Sequence, residues 1–346
     1  MTKKLWIETD YFDNFKCKCG ACKRCCCTGW KISVSKKEYY KLLTLDCSAK
    51  LADKIESCFV NPEFQSDECY KVIAPNYLGN CPMLDENGLC MIHSELGETA
   101  LASICKNYPR SFKKVNNVLQ ANCSNSCEAV VELLLKQDKL TFKTVQRSND
   151  PNISIDTDSD MMAIHIMFTQ IIQDRTLPLN IRIKKIVSYL NDNDIDNIDD
   201  LACMKQVQNF CKTASINSPI YEDFIKALDD RYTMDEDGVK TLRNDVKIFE
   251  TNYPKWEIYF ENILVNHLYY MNVPYVDERL KRQDATQGLC LVYALMKIIC
   301  ACLTINDKSL DNLAYVLSDI FHLVEHSPFY YNAHILIENE TSLLNI

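Results

Sequence analysis

Six cysteines fall within eleven residues, at Cys17, Cys19, Cys22, Cys25, Cys26 and Cys27 in the segment FKCKCGACKRCCCTGW. Disulfide pairing does not account for that density, because a disulfide needs Cβ atoms roughly 3.5–4.5 Å apart at a set dihedral, which neighbours in sequence rarely supply. Thiolate ligation asks only that several sulfurs converge on one centre, and spacings of two to four residues achieve this for zinc or an iron–sulfur cluster. Thiolates are soft donors, so Mg²⁺, Ca²⁺ and Mn²⁺ are disfavoured.

The chain has 346 residues, 47% of them hydrophobic, enough for about two folded domains. Its formal charge of −9 and pI near 5.3 argue against a nucleic-acid partner, which would need a clustered basic face. The first fourteen residues lack an apolar signal core, and no run of roughly 18 uncharged apolar residues occurs. A cytoplasmic location with no membrane partner is the expectation. A reducing compartment leaves metal binding or catalysis as the usual reason for many thiols.

Fourteen of the nineteen cysteines lie at or before Cys127. A Ser/Asn/Asp-rich stretch at 147–160 follows and has the turn chemistry of a linker. The expected organisation is mainly α, with an irregular cysteine-rich metal-binding region over 1–150 and an all-helical region over 151–346. Helical periodicity marks residues 161–172, 181–190, 221–228, 239–249, 256–270, 288–304 and 310–324. In the first region, 32–34 and 119–122 read as short strands, and 36–43, 50–59 and 126–137 read as helices. The loop-rich stretch 61–89 calls for metal ligation to hold it. Within it, 81–90 reads as a hairpin with Asp85, Glu86, Asn87 and Gly88 at the turn and a thiol on each arm, Cys81 and Cys90.

The pattern Cys17-x4-Cys22-x3-Cys26-Cys27-x-Gly29-Trp30, then Cys81-Pro-x7-Cys90, then Cys105 with Tyr108-Pro109-Arg110, then Ser126-Cys127 before an apolar helix, resembles the flagellin lysine-N-methylase family, part of a group named for its CxxCxxCC zinc- or iron-chelating domain. Residues 260–267, FENILVNH, are similar to that family's E-N-x-x-V-N helix. The resemblance implies methyl transfer from S-adenosylmethionine to lysine ε-amines of flagellin, with a [4Fe-4S] cluster as cofactor and zinc as the alternative. It makes Cys17, Cys22, Cys26, Cys27, Cys81, Cys90, Cys105 and Cys127 the metal-site candidates and leaves Cys19, Cys25 and Cys123 outside the pattern. Eight candidates exceed the four ligands of one cluster, so one site or two remain open.

Cys22-x2-Cys25 alone could be a redox pair, but it lacks a βαβ context. Cys47, Cys58, Cys69, Cys203, Cys211, Cys290, Cys300 and Cys302 read as small buried hydrophobes, and His93 as a surface or helix-start histidine. The seven glycines, at 20, 29, 79, 88, 97, 238 and 288, form no Gly-rich loop of the kind that usually receives S-adenosylmethionine. A cofactor would need another kind of site, with Arg110 gripping its carboxylate and Tyr108 beside it. The substrate lysine must be neutral to act as nucleophile, and Tyr108, Glu95, Glu98 and Asp85 are near the cysteines in sequence and could serve as base. The rival reading is a non-enzymatic zinc module that binds a partner protein. A weaker rival is a metallochaperone or redox sensor.

Overall fold

The computed structural model describes residues 4–115, 118–147, 160–190, 200–216 and 221–337. Among these the strands are β1 (Lys4–Thr9), β2 (Ile32–Val34), β3 (Phe59–Val60), β4 (Lys71–Ile73), β5 (Arg110–Val115), β6 (Val118–Cys123) and β7 (Phe142–Arg147). Outside the strands the described residues are mainly helical, as the periodicity predicts. By internal contacts the chain parts into two units, one built on Lys18–Tyr108 and the other on Met1–Cys17, Pro109–Ser215 and Tyr221–Ile346. The division therefore falls at 17/18 and 108/109. The linker expected near 150 lies mostly in 148–159, outside the described residues.

In the larger unit, β5-β6-β1-β7 form one sheet, with β1 parallel to β6 and the other pairs antiparallel. Periodicity marked only β6 of these four. The reason is polar burial: Glu8 and Thr9 of β1 are fully buried, and Gln120 and Asn122 of β6 nearly so, while Phe112 of β5 is 46% exposed. A strand that sends carboxylates and amides inward has no apolar alternation to read.

The helices of this unit follow the apolar pattern. Arg282–Leu303 is buried along most of its length and packs against Leu179–Leu190, Glu236–Asn252, Leu310–Glu325 and Phe329–Ile337. By length and composition it could cross a bilayer, but 83% of its apolar window is buried inside the protein, as in a core helix. Trp256–Met271 is buried on all sides from Phe260 to Tyr269, including Glu261, Asn262, Asn266 and His267. Asp200–Ile216 and Phe329–Ile337 are helices that the periodicity did not mark.

In the smaller unit, β2, β4 and β3 form an antiparallel sheet. It packs with Lys36–Leu43 and Ala49–Ser57 around Val34, Leu42, Leu51, Ile55, Ile73, Met83 and Ile92. Lys36–Leu43 starts at a capping box: the Ser35 hydroxyl accepts from the Glu38 N–H, and the Glu38 carboxylate accepts from the Ser35 N–H at 2.9 Å.

Candidate functional site

The cysteine segment is held by a second loop of the smaller unit. Thr28 bridges Asn80, Gly29 donates its N–H to the Gly79 carbonyl at 2.9 Å, and Cys81 donates to the Cys27 carbonyl at 2.8 Å. Gly29 and Gly79 both have φ near +80 to +90°, where a side chain is strained. These two glycines thus serve the turns that put Cys81 beside Cys27. The expected hairpin is present: Leu84 bridges Cys90, Asp85 donates its N–H to the Leu89 carbonyl, and the Asp85 carboxylate accepts from the N–H groups of Asn87 and Leu89 at 2.9 Å each.

The sulfurs of Cys25, Cys26 and Cys27 all lie within 4.8 Å of one another. Cys25, which the sequence pattern left out, is thus at the centre of the group. The usable signal was its place between Arg24 and Cys26 in an unbroken triplet. Cys26 and Cys27 are the predicted candidates brought together here, and Cys22 of the same segment is half-buried.

Electrostatics favour the Cys25 thiolate. Donation from the Cys26 and Cys27 thiols, with the Cys27 N–H at 3.4 Å, holds its pKa well below the usual thiol range, and Cys27 is raised in return as the donor. Burial raises Cys81 and Cys90, although the N–H groups of His93 and Ile92, in the first turn of Met91–Leu96, favour the Cys90 thiolate. Cys105 presents an exposed face, yet the surrounding protein and the Cys81 and Cys90 sulfurs push it up to about 12. Cys81 and Cys90 are therefore close enough to feel the charge of Cys25, and Cys105 that of Cys81 and Cys90. Residues 15–37 carry seven basic side chains and no acidic one, which offsets thiolate charge.

The other expected residues fall as follows. Cys17 and Cys127 belong to the larger unit, the first exposed and the second half-buried as N-cap of Glu128–Lys136. Tyr108 packs its ring on Trp30, with centroids 5.4 Å apart. Arg110 donates to the Phe15 carbonyl at 3.1 Å and stacks over the Phe15 and Phe12 rings, so its guanidinium is anchored two residues before Cys17. Glu95 accepts from the N–H and hydroxyl of Ser48, and Asp85 holds the hairpin turn, so both carboxylates have structural work. Glu98 is exposed. His93 is exposed, as a surface histidine would be. Of the eight cysteines expected to be buried hydrophobes, Cys47 and Cys69 are half-buried, because they sit in short loops beside charged residues; the others are buried.

In the larger unit, the segment similar to an E-N-x-x-V-N helix is a buried polar anchor. Glu261 pairs with Arg182 and Arg175 at 2.8 Å each. Asn262 donates to the Leu134 and Gln137 carbonyls and accepts from the Leu140 N–H. Asn266 donates to the Cys123 carbonyl and to Asn125 and accepts from the Tyr11 hydroxyl at 2.7 Å. Every buried amide here is satisfied, which fixes the 123–126 turn and hence the position of Cys127.

These features define a thiol-rich unit and, separately, a sheet-and-helix unit with a polar buried helix. Residues 192–344 match the family model described as the FliB lysine N-methylase C-terminal domain. The chain is 30% identical over 128 residues to the flagellar biosynthetic protein FliU of Salmonella muenchen, covering 37% of this chain and 75% of that protein. It is 30% identical over 128 residues to a lysine-N-methylase of Salmonella choleraesuis and 29% to one of Salmonella typhimurium, in each case covering 37% of this chain. The match spans about a third of those two proteins, 32% of each. No solved structure matches. The chain belongs to the lysine-N-methylase family that its cysteine pattern resembles.

Proposed function

We propose that this chain is a lysine N-methyltransferase that takes the methyl group of S-adenosylmethionine and places it on lysine ε-amines of flagellin. The observation that carries the reading is the convergence of three thiols within 4.8 Å in a member of this family. The donor set fits a soft metal centre: Cys25, Cys26 and Cys27 would hold it, together with Cys81, Cys90 and Cys105, while Cys17, Cys22 and Cys127 remain candidates from the resemblance. A bound [4Fe-4S] cluster would supply redox or Lewis-acid chemistry beside the sulfonium.

The chain's own residues supply the rest. Residues 18–108 hold equal numbers of acidic and basic side chains, so the formal charge of −9 belongs to the remainder of the chain. An acidic surface attracts a lysine-bearing substrate. Arg110 and Tyr108 are the residues assigned to the cofactor's carboxylate and its surroundings; Arg110 keeps further N–H donors besides the one on the Phe15 carbonyl.

One observation favours structural zinc as a second reading. Tetrahedral zinc with bonds of about 2.3 Å puts its sulfurs roughly 3.8 Å apart, which is compatible with the separation seen here. The test is anaerobic purification with iron, sulfide and zinc analysis, followed by incubation with S-adenosylmethionine and flagellin and mass spectrometry of the lysines. About four irons and four sulfides per chain with methylated lysines is the expected result. Stoichiometric zinc in a colourless protein that leaves flagellin unmodified would replace it with the structural-module reading.

A further inference from the structure

One lysine ties the hairpin that carries Cys81 and Cys90 to the core of the smaller unit. Lys54 lies half-buried on the helix Ala49–Ser57, between Leu51 and Ile55, which are both buried in that core. Its ammonium donates to the Pro82 carbonyl and to the Leu84 carbonyl, at 2.9 Å each. The two carbonyls that alternate with them are bonded within the hairpin: that of Cys81 accepts from the Leu84 N–H at 3.1 Å, and that of Met83 from the Met91 N–H at 2.9 Å. One edge of the Cys81 arm is therefore bonded to the Cys90 arm, and the other to the helix.

An ammonium suits this position because its N–H groups diverge from one point and can serve two carbonyls at once. Backbone carbonyls removed from water need such donors, and here a side chain supplies both. The clamped arm begins at Cys81, whose own N–H is held by the Cys27 carbonyl at 2.8 Å. Its sulfur feels the charge of Cys25 and Cys90. Burial works against a Cys81 thiolate, while the Lys54 ammonium is near enough to favour one. Several thiolates gathered around one metal leave excess negative charge, which a fixed cation beside them offsets.

We propose that Lys54 is a positioning residue of the metal centre: by clamping Pro82 and Leu84 it makes Cys81 and Cys90 present their sulfurs to the metal that Cys25, Cys26 and Cys27 hold. The inference deepens the metal-centre part of the proposed function and rests on it. Metal sites depend on partners that orient the ligands without touching the metal. Lys54 does this through the backbone of the hairpin, at its Cys81 end, while the Asp85 carboxylate holds the turn at the other end.

The test uses the full chain, purified anaerobically with its metal and titrated with a strong chelator while the retained iron or zinc is measured. Lys54→Met keeps the bulk of the side chain and removes charge and donors. It should release metal at a chelator concentration about 10–100-fold below wild type. Lys54→Arg, which keeps charge and donors, should recover part of that loss. Ala52→Gly weakens the same helix without removing a bond to the hairpin, and it should match wild type. Should Lys54→Met fail to fold, Lys54→Gln is read in the same way. Release at the wild-type concentration by Lys54→Met overturns the proposal, as does no recovery in Lys54→Arg. Equal losses in Lys54→Met and Ala52→Gly also overturn it, because helix stability alone then accounts for the effect. If the wild-type chain carries no metal, the metal-centre reading falls and this role with it; if it carries metal that the Lys54 variants hold equally well, this role alone falls.

Discussion

The two units of this protein reach order by different routes. The larger unit buries long helices, with Phe260, Leu264, Leu289, Leu295 and Phe321 all fully enclosed, and it also encloses charges and amides that are paired one by one. The smaller unit has short elements, of nine residues at most, and a modest core. It adds eleven cysteines and a set of side-chain ties between loops. Burial dominates in the first, whereas in the second the proposed metal site would help to complete the fold.

The largest effect expected from this contrast is metal removal. Treating the holoprotein with a strong chelator should abolish amide-exchange protection across residues 18–108 while the helix Arg282–Leu303 keeps its protection. Triple substitution of Cys25, Cys26 and Cys27 by Ser should do the same. Unchanged exchange in 18–108 after complete loss of metal would mean that its own core is sufficient and would erase the contrast. Next in size, Glu261→Ala leaves Arg182, itself 2% exposed, without its fully buried carboxylate partner. Breaking a buried pair from one side costs about 3–5 kcal/mol. A urea midpoint should fall accordingly, with metal content per folded chain unchanged.

How much of this was readable beforehand depended on what each residue buries. The helices over 256–270 and 310–324 were legible because their apolar faces repeat at helical spacing, and the capped helix over 36–43 coincides with its predicted span. The hairpin between Cys81 and Cys90 was legible from its turn chemistry. Strands β1, β5 and β7 were not, since Glu8 points inward and Phe112 outward. The parting at 17/18 and 108/109 was also hidden, because strand pairing between residues more than a hundred positions apart leaves no local trace. Cys25 was excluded by a spacing rule, although three adjacent thiols can still converge when the loop turns at Gly29.

A smaller effect concerns acid. Burial holds the His165 pKa near 4, below its unfolded value of about 6.5. Between those values the unfolded chain binds a proton that the folded chain refuses, so stability falls as pH drops from 6.5 to 4 and levels off below. The loss from this residue is at most about 3 kcal/mol. It belongs to the larger unit, where His165 stacks on Tyr269 at 5.0 Å. His165→Phe should flatten this limb in thermal melts; a melt as acid-sensitive as wild type would place the sensitivity elsewhere.

The smallest effect tests the side-chain ties of the smaller unit. Ser35→Ala removes a hydroxyl that caps Lys36–Leu43, a loss of about 1 kcal/mol. The consequence reaches further than the helix, because the same Glu38 carboxylate also accepts from the Ser103 N–H at 2.6 Å, at the start of the short helix bearing Cys105. Burial works against that carboxylate's charge, but hydrogen bonds from Ser103 and Ser35 overcome it and lower its pKa to about 2. Its contribution is therefore full above the ordinary glutamate pKa and lost only as pH falls toward 2. Ser35→Ala leaves Glu38 its bond to Ser103, whereas Glu38→Ala removes both ties. If the cap acts only on its own helix, the two variants should lose metal at equal chelator concentrations. If Glu38 links that helix to the Cys105 segment, Glu38→Ala should release metal at the lower concentration while Ser35→Ala matches wild type.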